Sequence, residues 1–266
     1  MKYFKKSPLI LSLALVSSFL GCKKVIDVNL KNAAPQIVIT GEVTNRPGPY
    51  HVIISQSVDF TSNNDFPPVS GAFVTITGNG FVDTLKELTP GNYSTHVFTG
   101  VPGFTYQLYV DVEGQVYKAT STMPQPVHID SITFVEGMKN NLYAVANFQD
   151  PPGIANFYQF KEFADSVAFP NGRGNSVFDD RLSDGRYINR ILYDDSTDIK
   201  SGIRLTVQMN CIDENVYNYL NELYLISGSG GGFASPSPAN PTSNISGGAL
   251  GYFSANTRTS RTVEIP

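Results

Sequence analysis

Ile203-Arg204-Leu205-Thr206-Val207-Gln208-Met209-Asn210-Cys211 is the cleanest alternation in the chain. Ile203, Leu205, Val207, Met209 and Cys211 share one side, and Arg204, Thr206, Gln208 and Asn210 share the other. A period of two is the signature of a half-buried strand, whereas a helix repeats its apolar positions every three to four residues. The pattern also places Cys211 on the apolar side. A reactive thiol needs exposure and a cationic neighbour, so Cys211 reads as an inert core residue.

The same period recurs on the N-terminal side. Ile37, Ile39, Gly41 and Val43 alternate with Val38, Thr40, Glu42 and Thr44. Arg46-Pro47-Gly48-Pro49 turns the chain into a second strand over Tyr50 to Ser57, and the polar stretch Ser57 to Pro68 reads as a loop. Ala72 to Thr77, Phe81 to Leu88, Tyr93 to Phe98, Tyr106 to Val112 and Val116 to Met123 follow, separated by Gly78-Asn79-Gly80, Thr89-Pro90-Gly91-Asn92 and Glu113-Gly114-Gln115. Short strands with turns at this spacing predict a β-sandwich.

Pro124 and Pro126 mark the expected boundary between residues 37–125 and a second β-rich domain over 126–266. Its expected strands are Ile129 to Phe134, Leu142 to Phe148, Phe157 to Phe163, Tyr187 to Tyr193 and Ile203 to Cys211, with Gly172 to Gly185 as loop. One helix interrupts them. Asp213 can cap it, and Val216, Tyr219, Leu220, Leu223 and Tyr224 recur at helical spacing. Ser227 to Gly248 is a long Gly/Ser/Pro/Asn segment, a length that inside a domain is usually functional or mobile. Leu250 to Ile265 closes the domain as one or two strands.

The start of the chain has a different logic. Lys2, Lys5 and Lys6 precede a mostly apolar run from Pro8 to Leu20 that is shorter than the roughly 20 residues a membrane span needs. A basic start and a short apolar run read as a signal peptide over residues 1–21. The run ends in Phe19-Leu20-Gly21-Cys22, which resembles the lipobox of bacterial lipoproteins. Cys22 is then the lipidation site, and several acyl chains, palmitate among them, would anchor the chain where one would be marginal. Residues 22–36 read as a tether.

Removing residues 1–21 takes three of the 19 basic side chains and none of the 23 acidic ones, leaving a net charge of −7. That balance argues against nucleic acid, which selects a basic stripe, and against a polybasic contact with anionic lipid. Cys211 is the only other cysteine, so no intramolecular disulfide framework is expected.

Candidate chemistry is sparse. His51, His96 and His128 are scattered, with no second ligand at metal spacing. Asp179, Asp180 and Asp184 precede Gly185, and Asp194, Asp195 and Asp198 follow nearby. Calcium loops alternate their carboxylates, and Leu182 occupies the middle ligand position, so these read as solvated loop acids. Gly228 to Gly232 lacks the Lys-Ser/Thr of a phosphate-binding loop, and no G-x-S-x-G nucleophile elbow occurs. No catalytic residue, metal or cofactor is expected, and the ligand-binding residues stay open. Phe73, Tyr109, Phe157 and Phe163 lie on or near faces opposite the core, where aromatics can mark an interface.

Longer motifs carry a resemblance. They are Cys22-Lys23-Lys24-Val25-Ile26-Asp27-Val28 with Ile37 to Val43, Val69 to Ile76, Pro90-Gly91-Asn92-Tyr93, Asp150-Pro151-Pro152-Gly153-Ile154-Ala155-Asn156-Phe157-Tyr158, Asn240 to Ile245, and Gly248 to Ala255. Together they resemble a Bacteroidota outer-membrane lipoprotein family built on a domain of unknown function. Genes of that family commonly lie beside those of TonB-dependent receptors with a carboxypeptidase-regulatory-like domain. The resemblance implies an immunoglobulin-like or transthyretin-like first domain. It also implies a non-enzymatic accessory role in ligand capture or delivery at an outer-membrane transporter, on its periplasmic face or at the cell surface. A stand-alone adhesin binding glycan or protein is the alternative, and a hydrolase using acids from two loops is a third. Asp83-Thr84-Leu85, Asp130-Ser131-Ile132, Asp165-Ser166-Val167 and Asp195-Ser196-Thr197 are similar to the O-glycosylation triplet of exported Bacteroidota proteins.

Overall fold

The computed structural model describes residues 34–58, 65–137, 142–168, 176–192, 201–226 and 240–266. The proposed signal peptide, Cys22, Gly228 to Gly232, and Asp194, Asp195 and Asp198 lie outside the described residues. The chain divides after Ala34, and Pro35–Pro266 forms one unit. Among the described residues that unit is mainly β, with several sheets and one helix.

The first half follows the alternation closely. β1 (Ile37–Thr44), β2 (His51–Gln56), β3 (Phe73–Gly78), β7 (Thr105–Val112) and β8 (Gln115–Thr122) each bury alternate residues. The expected strand over Phe81 to Leu88 is two strands, β4 (Phe81–Thr84) and β5 (Lys86–Thr89). The break falls at Leu85, whose side chain is buried in the core while the chain crosses from one sheet to the other. β6 (Asn92–Ser94) is shorter than expected. Thr95 leaves the ladder because its hydroxyl accepts from the N–H of Tyr50 at 2.8 Å.

The second half contains β9 (Ser131–Glu136), β10 (Leu142–Gln149), β11 (Phe157–Ala164), β12 (Val167–Ala168), β13 (Val177–Asp179), β14 (Tyr187–Ile191), β15 (Arg204–Ile212), α1 (Glu214–Ile226) and β16 (Leu250–Glu264). β13 lies inside the expected loop Gly172 to Gly185. Its three residues form because β11 offers an edge, pairing Phe157 with Asp179 and Gln159 with Val177. α1 starts where expected, with Asp213 Oδ1 accepting from Val216 N at 3.0 Å. Its packed face differs from the sequence reading: Val216 and Tyr217 are buried, while Leu223 is 41% exposed. Tyr217 wins the inward position because its ring lies 5.2 Å from that of Phe157 and its hydroxyl bonds Asp179.

One nine-stranded sheet, ordered β12-β11-β15-β16-β1-β2-β6-β5 with β13 also on β11, backs two smaller sheets. The sheet β4-β3-β7-β8 faces its β1 end around a core that includes Ile39, Val52, Ile76, Tyr106 and Leu108. The sheet β14-β10-β9 belongs to a second core that includes Phe148, Tyr158, Phe160, Leu205 and Met209. Cys211 is buried in that second core, as its alternation predicts.

β16 serves both cores. Leu250 to Asn256 run parallel to β1, and Thr257 to Glu264 run antiparallel to β15. Ile245, Ala249, Phe253 and Ala255 therefore pack in the first core, although all four follow the helix in sequence. The last part of the expected Ser227 to Gly248 loop is tied down too, with Ile245 bridging to Ala119 and Ser246 N donating to Lys118 O at 2.8 Å. Gly251 permits the β1 contact. A Cβ there would lie 2.0 Å from the carbonyl oxygen of Ile39, and its φ of +94° is in the region glycine favours.

Candidate functional site

The densest group of chemically capable side chains joins two loops of the second half. β10 ends at Gln149, and Asp150-Pro151-Pro152-Gly153 turns the chain away. β13 ends at Asp179, and residues 180–186 turn back into β14. One carboxylate oxygen from each of Asp150, Asp180 and Asp184 lies within 4.8 Å of the others. Asp150 and Asp180 are buried, while Asp184 is exposed.

Each acid is held by donors from the opposite loop. Gly185 N donates to Asp150 Oδ2 at 2.9 Å, and the Tyr158 hydroxyl donates to Asp150 Oδ1. Gly153 N donates to Asp184 Oδ1 at 2.8 Å, and Asn156 N to Asp180 Oδ2 at 3.0 Å. The loops are thereby clasped in both directions. Burial raises the Asp180 carboxyl above the usual carboxylate range, and the charges of Asp150 and Asp184 push the same way against the Asn156 bonds. The Tyr158 phenol is raised by burial and by the Asp150 charge beside it.

Of the acids expected from sequence to be solvated, Asp180 is instead buried, while Asp184 is exposed. Leu182, whose side chain has no donor atom, is 92% exposed and takes no part in the group. What the linear pattern lacked was Asp150, thirty positions upstream of Asp180. The Asp-Pro-Pro-Gly turn was visible, but its pairing across the sheet was not. Three clustered carboxylates offer the hard oxygen ligands that calcium prefers. The hydrogen bonds that the structure shows use them as a clasp.

A second carboxylate clasp links the two halves. Asp213, besides capping α1, accepts through Oδ2 from the Ser121 hydroxyl, and Ser121 Oγ accepts from Ala255 N at 2.7 Å. β8, the helix start and β16 thus meet at one buried serine. Burial raises the Asp213 carboxyl as well.

The other sequence candidates separate. His51 Nδ1 lies 2.9 Å from Asn92 Oδ1, and His96 Nδ1 lies 2.7 Å from Asp83 Oδ1. His128 sits apart, between the halves, and no histidine joins a cluster of metal-type ligands among the described residues. Phe73 is 54% exposed, with its ring 6.3 Å from Tyr109 and Lys118 Nζ 5.7 Å from the Tyr109 centroid. Phe157 is instead covered by α1, so the four aromatics do not form one surface. Asp165 and Ser166 make the exposed turn of the β11–β12 hairpin, both with positive φ. Asp83 and Ser131 are drawn into hydrogen bonds with His96 and Asn147. Residues 195–197 lie outside the described residues.

No curated protein gives a significant match to this sequence. A family model described as a domain of unknown function, DUF4249, matches residues 23–262. The chain belongs to that family.

Proposed function

We propose that this DUF4249 protein is an outer-membrane lipoprotein, held by acyl chains on Cys22, that assists a TonB-dependent transporter without doing chemistry itself. The observation that carries the reading is the order of segments at the start. A basic and apolar run ends in Phe19-Leu20-Gly21-Cys22, and the family-wide region begins at the next residue. The β unit begins at Pro35, so residues 23–34 separate it from the proposed anchor. No helix among the described residues is long and apolar enough to cross a membrane, and the proposal assigns the attachment to lipid.

The mechanism is one of effective concentration. A tethered binder beside a pore meets its partner as a local event, which raises avidity without any new contact. The expected partner is the receptor encoded alongside such lipoproteins, and the expected cargo is whatever that receptor imports. Acyl labelling tests the anchor. Wild type incorporates labelled palmitate and carries the mass of a diacylglyceryl cysteine, and Cys22→Ala loses both. An unmodified wild-type mass overturns the anchor.

A second reading rests on exposed Phe73 against half-buried Tyr109, with Lys118 over the Tyr109 ring. Such a surface suits a stand-alone adhesin that takes glycan or protein. Binding to a glycan array that is lost in Phe73→Ala would favour it.

A further inference from the structure

β1 stops at Thr44, so β16 beyond Asn256 has no strand on that edge. Side chains of the following turn take over. Asn45 Oδ1 accepts from Arg258 N at 2.7 Å, and Arg46 Nη2 donates to Arg258 O at 3.3 Å. Nearby, the segment after β8 crosses β16 and is pinned where the Thr259 hydroxyl donates to Val127 O at 2.8 Å. A cleft of about 240 Å³ opens at this seam, with Pro126 and Ile129 as apolar walls and Asn45, Arg46, His128 and Arg258 as polar ones.

The charge balance in the cleft runs against that of the chain. The protein carries a net charge of −4, yet two guanidinium groups and an imidazole meet here. Arg258 is paired with a carboxylate, Glu42, whose Oε1 lies 2.5 Å from Arg258 Nη2. That pair holds the Glu42 carboxyl below its ordinary range despite burial. Arg258 Nε is buried without a hydrogen-bond partner among the described residues. Arg46 is exposed, and its guanidinium has one bond, to a neutral carbonyl, and no ion pair among the described residues. His128 is exposed and makes no hydrogen bond among them.

We propose that this seam cleft is an oxyanion-binding site for a phosphate or carboxylate group, with Arg46 as the principal donor and His128 as the second. A guanidinium presents five N–H donors in a planar fork that matches two oxygens of either group. Arg46 commits only Nη2 to Arg258, so most of its fork stays available. Arg258 is held in the wall by its pairing with Glu42, so the uncompensated positive charge at the cleft is that of Arg46. The cleft is smaller than the roughly 300–1,000 Å³ of pockets that enclose drug-sized ligands. Its size suits a small anion or the charged head of a larger molecule. The site does not depend on the lipoprotein reading.

The test is a titration of the mature chain with inorganic phosphate, and separately with succinate, at constant ionic strength. The histidine ring resonances report binding, and His51 and His96 serve as internal references. The site predicts a saturable shift of His128 with at least one of the two anions, and the tighter one identifies the chemistry. Arg46→Gln should weaken that binding about tenfold or more, as expected for a charged hydrogen bond. Unmoved His51 and His96 signals in the variant show that the fold is retained. Calorimetry of His128→Gln gives an independent readout, with weaker binding expected. A His128 shift that does not saturate, or that His51 and His96 share equally, overturns the proposal. So does equal affinity in wild type and Arg46→Gln.

Discussion

The two halves of this β unit share a strand but hold their loops by different chemistry. In the first half phenols tie the buried segments, with Glu87 adding an exposed carboxylate tie to Gly71 N and Gly91 N. The Tyr93 hydroxyl donates to Val69 O and accepts from Ala72 N, both at 2.9 Å. The Tyr106 hydroxyl accepts from Val101 N at 2.7 Å, and that of Tyr50 lies 2.6 Å from Thr44 O. In the second half the ties are carboxylates, namely Asp150, Asp180, Asp184 and Asp213. A phenol bonded to backbone is neutral across the working pH range, whereas burial raises the carboxyls of Asp180 and Asp213 and makes their charge the costly form. The difference is that Asp180 and Asp213 are carboxyls whose ionisation burial opposes, whereas Glu87 in the first half is exposed and its backbone bonds favour the ionised form.

The shared strand gives the largest expected effect. Residues 35–125 produced alone should show no cooperative unfolding in urea, because Ile245, Ala249, Phe253 and Ala255 are missing from their core. A sharp two-state transition in that fragment would break the comparison at its root. Phe253→Ala in the intact chain should cost about 3–5 kcal/mol by the usual penalty for a buried aromatic. Tyrosine fluorescence and circular dichroism should report one coincident midpoint, since β16 couples the halves.

The clasps come next. Asp150→Ala strands the Tyr158 hydroxyl and Gly185 N without their acceptor. Leaving buried donors unpaired should cost about 3 kcal/mol in chemical denaturation. Tyr93→Phe removes a neutral hydroxyl with two partners and should cost about 1–2 kcal/mol. An equal loss in the two variants would erase the distinction between phenolic and carboxylate ties.

The smallest effect is the most diagnostic of charge. The folded-state pKa values of Asp180 and Asp213 are raised, so the native state binds more protons than the unfolded chain. Their contribution to stability therefore falls as pH rises from the unfolded carboxyl pKa through the raised folded one. Asp179 runs the other way. Its pKa is held down to about 2 by Arg181, so its contribution is full above the ordinary aspartate value of 3.8 and is lost as pH falls through about 2. Asp180→Asn keeps an acceptor for Asn156 and removes the penalised charge. It should raise the unfolding free energy at neutral pH by about 1 kcal/mol or less, and the gap to wild type should close on acidification. A destabilised Asp180→Asn at neutral pH would contradict the assigned cause.

Local order was legible and long-range partnership was not. Ile203 to Cys211 and Ile37 to Thr44 are strands because alternation is written in adjacent residues, and Asp213 announces α1 for the same local reason. Nothing near Leu250 in sequence shows that its strand returns beside β1. That choice is made by Gly251, which lets the Ile39 backbone approach, and by the gap that Phe253 fills. β13 was hidden because an edge of β11 creates it. Asp180 looked solvated until Asp150 and Asn156 arrived from another loop. Of the candidate site, the sequence held the acids and the Asp-Pro-Pro-Gly turn, and the fold supplied their convergence. Arg46, His128 and Arg258 had no shared signal at all, being brought together by the end of β1.

The most direct test of the functional account is an affinity pull-down of the lipidated protein from its native outer membrane, with partners identified by mass spectrometry and Cys22→Ala run beside it. Wild type should bring down a TonB-dependent receptor in stoichiometric yield, and Cys22→Ala should lose or markedly deplete it. Repeated recovery of the lipidated protein alone would contradict the transporter role and leave the stand-alone binder as the reading to pursue.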